Sequence, residues 1–119
     1  MPEYPPSLNL GTIESFLDKH IVSLIHLDAK WDAMGFQLQR RIQELAKSLD
    51  DSVGFGFIDV DEYQDEAIAL GVLNVPSCAY YRGREHLKTV IGLNQDIKTN
   101  LDMILRGDKP DWNARIKLD

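Results

Sequence analysis

One stretch of sequence decides the fold: Ile21-Val22-Ser23-Leu24-Ile25-His26-Leu27-Asp28-Ala29-Lys30-Trp31. Its first seven residues are apolar on both alternating faces and rich in β-branched side chains, which is typical of a strand in the middle of a sheet. From Asp32 or Ala33 to Leu49, apolar residues recur every three or four positions and predict a long amphipathic helix. A buried strand that leads directly into a covering helix indicates a layered α/β domain.

The same alternation continues on both sides of this stretch. We predict a helix capped by Thr12, a strand over 53–60, a short helix over 62–70 that ends at Gly71, a hairpin of strands 77–82 and 86–91, and a last helix from Asn94 to Gly107. Residues 7–10 are predicted as a short edge strand. Because strands separated by helices pair in parallel and a hairpin pairs antiparallel, we expect a central mixed sheet of four to five strands with helices on both faces. Residues 1–107 then form one domain, and 108–119 form a polar C-terminal tail.

Composition narrows the class of protein. The chain has 119 residues, of which 44% are apolar and 27% are charged, and its net charge is −6. This length suits one domain, and the apolar fraction excludes a disordered chain. The negative charge predicts no nucleic acid partner and no membrane partner. Because the start lacks a signal sequence and no apolar run approaches the ~20 residues of a membrane span, we expect a cytoplasmic protein. We expect it to be a monomer or a weak homodimer.

The cysteine count excludes several kinds of chemistry. Cys78 is the only cysteine, so one chain forms no disulfide, no four-thiolate zinc site and no dithiol centre. The three histidines, His20, His26 and His86, lack the spacing of metal ligands. We therefore predict no metal and no cofactor.

Several motifs in fixed order resemble those of thioredoxins. They are Asp28-Ala29-Lys30-Trp31 before the long helix, Phe57-Ile58-Asp59-Val60-Asp61, Gly71-Val72-Leu73-Asn74-Val75-Pro76, the turn at Gly83, and Gly92. The resemblance covers roughly residues 10 to 106 and implies a thioredoxin-like fold. It also implies that Pro76 follows a cis peptide bond.

The chain departs from the family at the catalytic loop. Thioredoxins follow the tryptophan with Cys-Gly-Pro-Cys, whereas this sequence reads Trp31-Asp32-Ala33-Met34-Gly35. The buried acid that the family places on the preceding strand falls at His26. Disulfide exchange needs an attacking thiolate and a second thiol that resolves the mixed disulfide. We therefore predict no catalytic residues and no dithiol-disulfide oxidoreductase activity.

The resemblance nevertheless implies a protein-binding groove around this former active site. Its predicted lining is Trp31, Phe36, Val75, Pro76, Gly92 and Leu93. The function it favours is a redox-inactive protein that binds segments of a protein partner of unknown identity, as an adaptor, assembly factor or chaperone. Met34 fits the inner stripe of the long helix and is assigned to the core, the alternative being that it lines the groove with the other residues.

For three polar residues the sequence leaves two possible roles open. Asp32 is expected to cap the long helix, and the alternative is an acid/base pair with His26. His26 itself is expected to be buried and hydrogen-bonded, the alternative being a pH-sensitive element. Cys78 is expected to be a small core side chain; as a monothiol it would instead make the protein a redox enzyme with glutathione-linked or peroxide chemistry.

Overall fold

Helices and strands alternate along the chain in the predicted order. The computed structural model describes residues 4–49, 51–71 and 74–117. Within these ranges the elements are α1 (Leu10–Asp18), β1 (Val22–Asp28), α2 (Ala33–Ser48), β2 (Val53–Asp59), α3 (Gln64–Ala69), β3 (Ser77–Arg82), β4 (Glu85–Ile91) and α4 (Ile97–Leu105).

The four strands form one mixed sheet in the order β2-β1-β3-β4. β1 and β2 are parallel, since α2 crosses between them, and the register pairs Asp28 with Asp59. β3 runs antiparallel to β1, with Ser77 opposite Leu27, and β4 runs antiparallel to β3, with Ile91 opposite Ser77. Gly83 turns the hairpin with a φ of 57°, a conformation that glycine adopts without strain. The predicted α/β sheet architecture is confirmed.

Each face of the sheet carries its own apolar core. On one face, side chains of α2 and α4 such as Leu38 and Leu101 pack on Leu24 and Tyr80. On the other face, Leu17 of α1 and Ala67 of α3 pack with a separate set of strand residues. Because the central strand β1 is buried along its whole length, its sequence lacks the polar alternation of a half-exposed strand.

Three helix starts differ from the prediction, and one of them is that of α3, which begins at Gln64 rather than at Glu62. α1 begins earlier, because the Asn9 side chain accepts the Gly11 N–H and the Asn9 N–H donates to Thr12 Oγ1, so Thr12 lies inside the helix. α4 begins later, capped by Asp96 rather than by Asn94. The predicted edge strand is also absent from residues 7–10, although the Leu8 N–H donates to the Phe57 carbonyl at 2.8 Å.

The described part of the C-terminal tail, residues 108–117, lies against the domain. Pro110 is buried, and the Trp112 ring lies 5.2 Å from the Tyr80 ring between centroids. The Ile116 N–H donates to the Asn94 carbonyl at 2.8 Å. Among the helices of the described ranges, none has the length and apolar character needed to cross a membrane.

A buried hydrogen-bond network supports the α4 side of the sheet. The Tyr80 hydroxyl donates to Gln95 Oε1 at 2.7 Å and accepts from Asn100 Nδ2 at 3.2 Å. Gln95 Nε2 in turn donates to the Val90 and Gly92 carbonyls at 2.8 and 2.9 Å. Gln95 therefore ties the end of β4 to the segment that follows it.

We expect Tyr80→Phe to lower the free energy of unfolding by about 1–2 kcal/mol, because it leaves two buried amides short of a partner. Urea denaturation measures the change. Tyr81→Phe is the matched control, since no hydrogen bond of the Tyr81 hydroxyl exists among the described residues. Equal losses in the two variants would contradict the assigned role of the network.

Candidate functional site

The loops that contain the predicted site residues lie together at one end of the sheet. The register places the ends of β1 and β2 side by side at Asp28 and Asp59. It also sets the start of β3 and the end of β4 beside them, since Leu27 lies opposite Ser77 and Ser77 opposite Ile91. The loop that carries Trp31, the segment that ends at Pro76, and Gly92 and Leu93 therefore share this end of the sheet.

Two large apolar side chains are exposed at the start of α2. Trp31 is 74% exposed and Met34 is 51% exposed. The Trp31 indole Nε1 donates to Asp61 Oδ2 at 2.7 Å, which directs the ring across the end of the sheet toward the β2 side. The assignment of Met34 to the core was wrong, because the first buried residue of this helix is Gly35 and the next is Leu38.

The segment before β3 ends in a cis-proline. The Val75–Pro76 peptide bond is cis. Pro76 is buried, and its carbonyl accepts the Gly92 N–H at 2.9 Å. No hydrogen bond among the described residues uses the N–H or the carbonyl of Val75, which is half-buried. Phe36, Gly92 and Leu93 are also half-buried, while Val72 and Leu73 lie outside the described residues.

Asp32 caps α2, as the sequence predicts. Its Oδ1 accepts the Met34 N–H at 3.1 Å. Among the described residues, no hydrogen bond or ion pair joins His26 to Asp32, so the structure offers no support for an acid/base pair between them. Ala33, the next residue of the former active-site loop, is exposed on the first turn of α2.

His26 is fully buried on β1 and contacts two polar side chains. Its Nδ1 lies 2.8 Å from Gln39 Oε1, and its Nε2 lies 3.4 Å from Asp28 Oδ2. Because Gln39 Oε1 only accepts, Nδ1 carries the proton of a neutral imidazole, and the lone pair of Nε2 then faces the Asp28 carboxylate.

Asp28 fills the space where the family places a second cysteine. The residue is fully buried, and its Oδ1 accepts the Ala29 N–H at 2.8 Å. A Cβ atom built at Gly35 would lie 1.0 Å from Asp28 Oδ2. Burial raises the pKa of Asp28, the contact with His26 opposes that rise, and the nearby Asp32 carboxyl group adds to it. Glycine is therefore required at position 35 because the Asp28 carboxyl group occupies its side-chain space.

Asp28 lies in one of the thioredoxin-like motifs, but it was not predicted as a site residue. The available signal was its position as the last residue of a strand buried on both faces. A carboxyl group at such a position needs a partner in the interior, and His26 lies two residues earlier on the same face of β1.

Replacing Asp28 by asparagine is expected to raise the free energy of unfolding at neutral pH by about 1 kcal/mol, because the amide is neutral and can donate to His26 Nε2. The pKa of Asp28 is higher in the folded than in the unfolded protein. The stability that the protonated carboxyl group contributes is therefore fully present below the unfolded pKa. This contribution is lost as pH rises through the folded pKa. The advantage of Asp28→Asn over the unsubstituted protein should therefore grow from pH 4 to pH 8.

Urea denaturation across that pH range measures this advantage. Asp51→Asn is the control, because Asp51 is exposed on the turn before β2. An advantage of Asp28→Asn that stays constant with pH would contradict the prediction.

Cys78 lies away from the loops, in the interior of the sheet. It is fully buried on β3 and packs in the core beneath α2 and α4. Burial raises the pKa of the Cys78 thiol far above its usual range, so the thiolate that redox chemistry needs is disfavoured. This placement agrees with a core side chain and gives no support to a monothiol site.

Several solved structures with the same fold are thioredoxins. A mutant thioredoxin from Halobacterium salinarum is 26% identical, with a TM-score of 0.74 over 92% of this chain and 95% of that one. Mitochondrial thioredoxin 3 from Saccharomyces cerevisiae is 23% identical, with a TM-score of 0.69 over 83% and 90%. A Schistosoma mansoni thioredoxin is 23% identical, with a TM-score of 0.68 over 84% and 94%. No family sequence model and no curated protein sequence matches the chain.

The fold, the sheet order and these likenesses define a thioredoxin-like protein. Within that class the chain is a divergent member. It has a single cysteine, buried in the core, and Trp31-Asp32-Ala33-Met34-Gly35 stands where thioredoxins have Trp-Cys-Gly-Pro-Cys.

Proposed function

We propose that this protein is a redox-inactive thioredoxin-like domain that binds extended protein segments at the end of its sheet, as an adaptor, assembly factor or chaperone. The binding surface, called here the loop surface, consists of Trp31, Met34, Phe36, Val75, Pro76, Gly92 and Leu93. The proposal includes a cytoplasmic location and a monomer or weak homodimer.

Redox inactivity is supported by more than the missing sulfurs. The side-chain space at position 35 is filled by the Asp28 carboxyl group, so a resolving thiol has no room there. The one thiol of the chain, that of Cys78, is fully buried in the core on β3. An insulin-reduction assay is therefore expected to show no turnover, and turnover above the rate without protein would overturn this part of the proposal.

Protein binding is supported above all by the exposure of Trp31, which is 74% accessible and lies beside Met34, 51% accessible, at the start of α2. Exposed tryptophans are common anchors of protein interfaces, because burying one removes a large apolar area from water. Val75 lies at the same end of the sheet, and its N–H and carbonyl form no hydrogen bond among the described residues, so an extended segment can pair with them by backbone hydrogen bonds.

Site-specific photo-crosslinking tests the proposed surface. A photoreactive phenylalanine analogue in place of Met34 is expected to give covalent adducts with protein partners in cells. The matched control is the same analogue in place of Ile21, which is 65% exposed just before β1, at the opposite end of the sheet. Adding Trp31→Ala to the Met34 chain is expected to lower the adduct yield about tenfold.

The outcomes separate the proposal from nonspecific contact. Adducts at position 34 that depend on Trp31, with few at position 21, support the loop surface. Equal yields at the two positions, or yields that Trp31→Ala does not change, would contradict it. Trp31→Ala should not unfold the domain, since the ring is exposed and its one hydrogen bond is to the exposed Asp61.

A further inference from the structure

A second groove lies between α2 and α4, and Arg41 in its lining bonds to Leu93 of the loop surface. It has a volume of about 750 Å³ and is open to solvent. Leu45 and the buried Ile97 supply apolar lining, and the cations Arg40, Arg41 and Lys98 line it as well. The groove is therefore both basic and partly apolar, in a chain whose net charge is −6.

Arg41 is held in place without being neutralised. Its guanidinium donates to the Leu93 carbonyl through Nη1 and to the Gln95 carbonyl, at 3.0 Å, through Nη2. Within the described ranges no carboxylate lies at ion-pair distance from it. Carbonyl oxygens orient the group but leave its full positive charge, so an anion in the groove meets a cation that is already ordered.

The other charged groups of the groove leave its net charge positive. Arg40 is exposed and forms no ion pair or side-chain hydrogen bond among the described residues. Lys98 pairs with the half-buried Asp102 at 2.9 Å. The acid that lines the groove, Glu44, pairs outward with Lys47 at 3.1 Å. Two arginines thus remain available to a ligand.

We propose that this groove, called here the basic groove, binds an acidic peptide segment that carries an apolar side chain. Carboxylates pair with the guanidinium groups, and the apolar side chain packs on Leu45. Two features favour a peptide over a nucleic acid. Among the described residues, the lining of the groove includes no aromatic ring on which a base can stack, and the N-terminus of α4 is already capped by Asp96 Oδ1.

The basic groove is independent of the loop surface but joined to it by one contact. The Arg41 guanidinium holds the carbonyl of Leu93, which follows Gly92, whose N–H bonds to the Pro76 carbonyl. A protein with both sites can hold two segments of one partner, or one segment from each of two partners.

Fluorescence anisotropy tests the basic groove with a short fluorescein-labelled peptide of alternating glutamate and leucine. Arg40→Glu and Lys98→Glu are each expected to weaken binding of this peptide about tenfold or more. The matched control is Lys19→Glu, an exposed position at the end of α1 on the opposite face of the sheet. The same peptide with glutamine in place of glutamate is expected not to bind.

Three results would overturn the proposal. These are no binding of the acidic peptide at low salt, equal weakening by Lys19→Glu, and equal binding of a labelled single-stranded oligonucleotide. Trp31→Ala is expected to leave the affinity for this peptide unchanged, so failure of the loop surface and failure of the basic groove are distinguishable.

Discussion

Gly35→Ala is expected to lower the free energy of unfolding by about 3 kcal/mol, although alanine at a helical position normally stabilises by about 1 kcal/mol. The added methyl group would lie 1.0 Å from Asp28 Oδ2. The Asp28 carboxyl group has no free space to enter, because it is fully buried and bonded to the Ala29 N–H. Urea denaturation of the purified variant measures the loss.

A second substitution identifies the cause of that loss. Asp28→Ala removes the obstructing group, so Gly35→Ala is expected to cost little when it is made in the Asp28→Ala chain. Gly11→Ala is the control for the glycine itself, since Gly11 is also helical but is exposed. If Gly35→Ala costs the same with and without Asp28, the carboxyl group does not occupy this space and the argument fails.

Cys78 is expected to react with a thiol reagent about a hundredfold more slowly, or slower still, in the native protein than in urea. Two observations lead to this expectation: the side chain is fully buried, and its pKa is raised by that burial. Absorbance of the released thionitrobenzoate follows the reaction. This is the direct test of the monothiol alternative.

A cysteine placed at Ala33 serves as the positive control, because this position is exposed on the first turn of α2. It should label within the mixing time in both conditions. Rapid labelling of Cys78 in the native protein would overturn the core assignment and favour a monothiol enzyme.

The strands and helices could be predicted because their signals are local. The apolar residues of β1 alone predict a central strand, and the spacing of Leu38, Ile42 and Leu45 predicts the helix α2. The helix starts were harder, because neighbouring residues compete as caps. Asn9 and Thr12 form a reciprocal pair of hydrogen bonds, so the sequence identifies the cap region but not which of the two residues precedes the helix.

Only some of the site residues could be predicted, because the roles of the others depend on contacts between separate elements of the fold. Trp31 and Pro76 carry family motifs, and the sheet register brings them to the same end. Asp28 and Gly35 carry no separate signal, because their relationship depends on the distance between a strand and the helix that covers it. Met34 was misassigned for the same reason, since the first inward position of α2 is set by that contact with Asp28.

The contact between Asp28 and Gly35 also determines the order in which a dithiol centre could be rebuilt on this scaffold. Cysteine at position 32 is tolerated at the cost of a helix cap, but cysteine at position 35 is blocked while the acid is present. Position 28 has to change first. An engineer who introduces the two cysteines alone should therefore obtain an unstable protein, whereas one who begins with Asp28→Ala obtains a scaffold in which each later step is tolerated.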